Sequence, residues 1–210
     1  MDFLTNPNVI FYIIAYLVGG IPFGYILAKV FAGVDIKKSG SKSIGATNVL
    51  RVVRQKDEKL AKKLAIATVV FDALKGAALV LLAKFLGFPP AVWWMVGILT
   101  VLGHCYSPFL KFEGGKGVAT AMGVLLVLLP IETLIGIAVW AIVAKTTKIS
   151  SLASLSGLAA VVIASFIIHP ELPHVRSHAP LLILAFIIFY KHLPNIKRLI
   201  TGEERKVVEA

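Results

Sequence analysis

Seven stretches of this chain are too apolar to make sense in water: residues 9–31, 64–86, 91–106, 117–129, 131–146, 151–169 and 179–192. Several are long enough to cross the roughly 30 Å hydrocarbon layer of a bilayer. In that layer every backbone N–H and C=O must be satisfied within the protein, which favours helices. The fourth and fifth stretches are short and meet at Pro130, so they are either two half-length helices or one kinked rod. Short segments still span where they run untilted or where the bilayer thins. A chain of 210 residues, 58% of them hydrophobic, has room for one helical bundle. The expectation is an all-α, polytopic membrane protein with a single domain over 1–210, no separate soluble domain and no internal repeat. Before the first stretch stands only Asp2, with no basic residue until Lys29. That reads as a retained span and not a cleaved signal. Cys105 is the sole cysteine, which excludes an intramolecular disulfide and a cysteine metal cluster.

Charge sets the orientation. The loop at 33–63 carries Lys37, Lys38, Lys42, Arg51, Arg54, Lys56, Lys59, Lys62 and Lys63, whereas the connections near 87–90 and 170–178 carry chiefly Arg176. Basic loops stay in the cytoplasm. This predicts seven spans with the N-terminus outside and the C-terminus inside, and places 33–63, 107–116, the turn near 147–150 and the tail from about 193 on the cytoplasmic face. The net charge of +11 then serves topology and attraction to anionic lipids. It gives no ground for a nucleic-acid partner.

The polar motifs fall on that same face. Phe109 to Thr120 contains Gly114-Gly115-Lys116-Gly117, a glycine-rich turn with a lysine. Glycines let backbone N–H groups converge and the lysine adds charge, a combination suited to phosphate. It is not a nucleotide P-loop, because Leu110 stands where that signature needs glycine and Gly117 where it needs Ser or Thr. Gly40-Ser41-Lys42-Ser43-Ile44-Gly45-Ala46-Thr47-Asn48 leads to Arg51. Here Arg51 offers a bidentate grip on phosphate, with Ser41, Thr47 and Asn48 completing its hydrogen bonds; the same composition also suits a polar loop with a helix cap. Asp72 and Lys75 lie three apart in the second span, beside Gly76. They are either a structural ion pair or the means of putting Lys75 on the floor of an anion pocket. His104 precedes Ser107-Pro108 and the glycine turn, as a buried structural group or a catalytic base. Ser150 and Ser151 open the sixth span, where one of them suits a helix cap. The tail from His192 through Asn195 to Glu204 closes the set as a basic interfacial segment.

In this order the motifs strongly resemble the bacterial membrane acyl-phosphate:glycerol-3-phosphate acyltransferase family. The resemblance covers nearly the whole chain. It rests on Gly-Ser-x-x-x-Gly-Ala-Thr-Asn-x-x-Arg at 40–51, Asp-x-x-Lys-Gly at 72–76, Gly-His at 103–104, Gly-Gly-Lys-Gly-Val-Ala-Thr at 114–120, Ser-Leu-Ala-Ser at 151–154 and His-x-x-Asn-Ile-x-Arg-Leu-x-x-Gly-x-Glu at 192–204. It implies transfer of a fatty acyl group from a long-chain acyl phosphate to the 1-hydroxyl of glycerol 3-phosphate, giving lysophosphatidic acid and inorganic phosphate. The implied setting is the bacterial inner membrane with the site facing the cytoplasm, no cofactor, no metal and no obligate protein partner beyond membrane lipids. Carried onto this chain, the catalytic set is Ser41, Arg51, His104, Lys116 and Ser151. The substrate-binding set is Gly40, Thr47, Asn48, Lys75, Gly114, Gly115, Gly117, Thr120, His192 and Asn195. The resemblance favours a substrate phosphate as the proton acceptor, with His104 structural. Two departures stand out: Lys42-Ser43 where the family commonly has Gly-Asn, and Glu113 where lysine is common. No histidine is followed five positions later by aspartate, which separates this chain from acyltransferases of the His-x-x-x-x-Asp type. The rival class is an organic-phosphate or anion transporter, for which short, glycine- and proline-broken segments are suited.

Overall fold

The computed structural model describes residues 5–207. Asp2 lies outside the described residues. Ten α-helices are present among them: α1 (Pro7–Gly19), α2 (Phe23–Ala32), α3 (Ala46–Val53), α4 (Glu58–Phe85), α5 (Pro90–Cys105), α6 (Val118–Leu128), α7 (Pro130–Thr147), α8 (Ser150–Ile168), α9 (Ala179–Lys191) and α10 (Leu193–Ile200). Large apolar side chains such as Phe85, Ile167 and Phe186 face outward, as a lipid-solvated surface requires.

Five segments are long and apolar enough to cross a bilayer, and α9 with α10 adds a sixth that bends by 58°. The seventh expected span falls on α6, whose 11 residues reach only about 16 Å. The expected stretches 117–129 and 131–146 are two helices and not one rod. Leu129 leaves the helical region at φ −140, ψ 68, and Pro130 opens α7, where its missing N–H costs nothing. Helix α4 starts at Glu58, six residues ahead of the apolar stretch, because the Asp57 carboxylate accepts the Leu60 N–H at 2.9 Å.

The first span is broken. Helix α1 ends at Gly19 and α2 starts at Phe23, which leaves carbonyls exposed at membrane depth. Two polar side chains meet them: Ser107 donates to Gly20 O at 2.6 Å and Lys75 to Ile21 O at 3.0 Å. Helix α4 crosses α6 at backbone contact. A Cβ on Gly123 would stand 1.9 Å from Ala73 O, and one on Gly76 would stand 2.3 Å from Thr120 O. Such approach is how membrane helices associate without a hydrophobic driving force between them.

The 33–57 region, expected as a loop, holds a small folded unit. Val49, Val52 and Val53 of α3 pack with Ile36, Ile44, Ala61 and Leu64. This gives the polar residues on α3 a rigid base. The four segments 33–63, 107–116, 147–150 and the tail meet at one end of the bundle: Lys37 pairs with Glu113 at 2.8 Å, Thr47 Oγ1 meets Ser150 Oγ at 2.9 Å, and Val207 N–H donates to Lys148 O at 2.8 Å.

Candidate active site

At that end opens a cavity of about 580 Å³. Its mouth carries Lys116, Arg51 and Arg198, and its inner walls are apolar faces of α6, α7 and α8, among them Leu125, Ile137 and Leu158. Of the residues expected at a site, Gly40, Ser41, Thr47, Asn48, Arg51, His104, Lys116, Gly117, Ser151, His192 and Asn195 line it.

Lys75, Gly114, Gly115 and Thr120 do not line it. Lys75 is 5% exposed and bonded to Asp72 at 2.9 Å and His104 Nδ1 at 3.0 Å, so it braces α4 against α5 and the α1–α2 break instead of flooring an anion pocket. Gly114 and Gly115 seat the turn on the end of α5. A Cβ at Gly115 would stand 2.1 Å from His104 Nε2, and one at Gly114 would stand 2.2 Å from His104 O. The Gly115 N–H is already given to His104 O at 3.0 Å, which removes it as a phosphate donor. Thr120 is fully buried, at the α4 crossing. Within the motif, Gly117 has φ +82 and caps α6, and this left-handed turn aims Lys116 into the mouth.

The 40–48 segment is held by one amide. Asn48 is 1% exposed; its Oδ1 accepts from Ser41 N–H at 2.8 Å and its Nδ2 donates to Ile36 O at 2.9 Å and Ser43 O at 2.8 Å. A Cβ on Gly40 would strike that Oδ1 at 2.2 Å, so Gly40 and Asn48 together place Ser41. Asn48 is thus an anchor with its side chain already bonded. Lys42 has φ +57, a conformation that glycine adopts more readily. This accounts for the family's glycine there. Ser43 Oγ accepts the Gly45 N–H at 3.4 Å, a local bond of the kind an asparagine also makes. Glu113 is tied to Lys37 and does not line the cavity, so its carboxylate does not face an anion bound there.

The tail brings in two residues outside the expected set. Arg198 and Glu204 both line the cavity, and Arg198 Nε donates to Glu204 Oε2 at 2.6 Å. Glu204 Oε1 accepts from Ser151 Oγ and from Asn195 Nδ2, each at 2.6 Å. Burial pushes the Glu204 carboxyl up, but these three donors outweigh it and hold its pKa below the usual carboxylate range. Both residues sit in the tail motif, where Gly202 at φ +73 turns the chain back; a sequence offers the residues but not that return. Burial lowers the Lys116 pKa to about 8, against the opposing pull of Glu204 and with help from Arg198 and Arg51. Among the described residues no group of three His, Cys, Asp or Glu side chains is placed to hold a metal.

A helical membrane bundle whose cavity joins a cationic mouth to an apolar shaft suits a phosphorylated amphiphile, which defines a class of lipid-handling proteins. The family model described as glycerol-3-phosphate acyltransferase matches residues 9–202, and the chain belongs to that family. It is 84% identical over 207 residues to the glycerol-3-phosphate acyltransferase of a Nitratiruptor species, covering 99% of each chain. It is 55% identical over 208 residues to that of Wolinella succinogenes, covering 99% of this chain and all of the relative. Crystal structures of PlsY (YgiH), an integral membrane glycerol 3-phosphate acyltransferase, share 36% identity with it. The glycerol 3-phosphate form superposes with a TM-score of 0.84 and the lysophosphatidic acid form with 0.83, each over 95% of this chain and 94% of that one. The protein is an enzyme of this acyltransferase family and is embedded in a bacterial membrane.

Proposed function

We propose that the protein transfers a fatty acyl group from an acyl phosphate to the 1-hydroxyl of glycerol 3-phosphate. The single observation that carries this is the continuity of the cavity: a mouth of Lys116, Arg51 and Arg198 runs directly into an apolar shaft between α6, α7 and α8. Phosphate is recognised at the first and an acyl chain at the second. The relatives' names and the two ligand forms of PlsY support the acceptor and the lipid product; the motif resemblance supports the acyl phosphate donor.

Direct transfer fits the side chains. Cys105 is fully buried and does not line the cavity, which removes the one thiol as an acyl acceptor. The glycerol 1-oxygen attacks the acyl carbonyl carbon, the bond from that carbon to the phosphate oxygen breaks, and the hydroxyl proton passes to the departing phosphate. Lys116 and the arginines hold the two phosphates and neutralise the charge that builds on the leaving group. His104 does not serve as base in this scheme. The Lys75 ammonium has only protons to give, so His104 Nδ1 accepts and the ring proton stays on Nε2. Seven spans, an inner-membrane location and a cytoplasmic mouth complete the reading, supported by the gathering of the basic segments at the cavity end.

Purified protein in lipid is offered labelled glycerol 3-phosphate with palmitoyl phosphate or palmitoyl-CoA. Product from the acyl phosphate alone is expected. Product from the thioester alone overturns the donor, and flux into sealed vesicles without product overturns the enzyme reading in favour of transport. A covalent acyl-enzyme trapped by acid quench overturns direct transfer.

A further inference from the structure

We infer that Glu204 is a positioning residue that sets hydrogen-bond polarity at the cavity mouth, holding Ser151 as an acceptor for the secondary hydroxyl of the glycerol substrate and not a donor to its phosphate, with the Asn195 amide turned so that its oxygen is offered as well. This rests on the acyltransferase reading above.

Proton count fixes the polarity. An ionised carboxylate only accepts, so every group bonded to Glu204 must donate to it. The hydroxyl of Ser151 carries one proton, and it is given to Glu204 Oε1 at 2.6 Å. What Ser151 can show the cavity is lone pairs. The Asn195 amide gives Nδ2 to the same oxygen at 2.6 Å, which turns its opposite edge, the acceptor Oδ1, away from Glu204. His192 joins them: its Nδ1 faces Ile188 O at 2.8 Å, and a carbonyl only accepts, so the ring proton sits there and Nε2 is left as an acceptor. All three residues line the cavity. A phosphate oxygen needs donors and finds only the second Nδ2 proton of Asn195 in this group. A glycerol hydroxyl needs an acceptor for its proton and finds three.

The phosphate donors are different side chains from these acceptors. Lys116 and Arg51 carry only protons, and Arg198, with Nε on Glu204 Oε2 at 2.6 Å, keeps guanidinium N–H groups beyond the one it spends. Glycerol 3-phosphate has both needs, donors for its phosphate and acceptors for its hydroxyls, and the mouth meets each with different side chains.

The test is Glu204→Gln, which keeps shape but reverses polarity. The arginine N–H claims the new amide's oxygen, so its NH₂ faces Ser151 and Asn195 and obliges both to accept. Their remaining atoms toward the cavity become donors. Two acceptors are compared with palmitoyl phosphate as donor: glycerol 3-phosphate and 3-hydroxypropyl phosphate, which lacks the secondary hydroxyl. Inhibition by inorganic phosphate is measured alongside. In the unaltered protein, loss of that hydroxyl should lower kcat/KM by about tenfold, the worth of one well-made hydrogen bond. In Glu204→Gln this preference should fall to within about twofold, with the rise in KM confined to glycerol 3-phosphate and inorganic phosphate binding at least as tightly as before. A preserved preference, or inorganic phosphate binding lost in parallel, overturns the inference. Should the variant fail to fold, Ser151→Ala answers the same question: lost preference with unchanged phosphate inhibition supports the division, and parallel loss of both refutes it. A failure of the underlying acyltransferase reading shows separately, as no product from the unaltered protein.

Discussion

Raising the pH from 7 to 9 should switch off substrate capture through one side chain. Burial brings the Lys116 pKa from 10.5 to about 8, with Arg198 and Arg51 adding repulsion and Glu204 opposing. About nine-tenths of the molecules then carry the ammonium at pH 7 and about one-tenth at pH 9. Because kcat/KM reports the free enzyme, it should fall about tenfold per pH unit above 8. A bound phosphate dianion holds the proton on, so kcat should persist to higher pH. The stability effect has the opposite sign. A lysine whose folded pKa lies below its unfolded value is protonated only in the unfolded chain between about 8 and 10.5, so stability rises with pH across that window. At about 1.4 kcal/mol per pKa unit, the gain is at most roughly 3 kcal/mol. Deprotonation of Lys116 therefore does not itself unfold the protein, and the melts separate its effect on activity from any loss of fold. The assay is initial-rate acyl transfer with varied glycerol 3-phosphate at each pH, paired with thermal melts. Lys116→Arg supplies the control, since a guanidinium stays charged throughout and should flatten the limb. A kcat/KM that stays level to pH 9.5, or that falls equally in Lys116→Arg, would refute the assignment.

Packing and topology can be tested in the same protein. Asp72→Asn should cost about 3–5 kcal/mol in thermal or denaturant melts, because it leaves the buried Lys75 charge without its carboxylate; adding Lys75→Met should recover most of the loss, and an additive double mutant would contradict this. Asn48→Ala strips the partners from Ser41 N and from the Ile36 and Ser43 carbonyls, so stability should drop by about 2–4 kcal/mol and acyl transfer should vanish; a fully active variant would show that the 40–48 turn does not depend on this amide. Because native Cys105 is fully buried, cysteines introduced at Lys38 and His174 can be labelled selectively in intact cells. Labelling is expected at 174 and not at 38, and the reverse pattern would invert the topology.

Much of this protein was legible in the chain, for local reasons. Apolar runs must be membrane helices because hydrocarbon offers no partners to a peptide group, so the all-helical bundle needed only hydropathy. The motif segments announced themselves by residues that only special surroundings tolerate: glycines in a turn, charges inside a span. Position 42 shows how far such reading goes. Lysine in place of the family's glycine was visible as a departure, but its φ of +57 was not.

Which atom of each motif residue is left for substrate depends instead on how the helices pack. Asn48, Lys75, Gly115 and Thr120 belong to the same motifs as Ser41 and Lys116, but packing absorbs the first group: the Ile36 and Ser43 carbonyls take Asn48, the end of α5 takes Gly115, the α1–α2 break takes Lys75 and the α4–α6 crossing takes Thr120. Helix α3 and the true start of α4 depend on a small core and a cap that hydropathy averages away. Glu204 meets Ser151 across 53 positions because the tail folds back at Gly202, a long-range contact with no signature in local composition. Composition and motif order thus specify the solvent, the helices and the chemical vocabulary of the site. Which hydrogen bonds are already spent, and therefore what the cavity can offer a substrate, is a property of contacts that exist only once the chain has closed on itself.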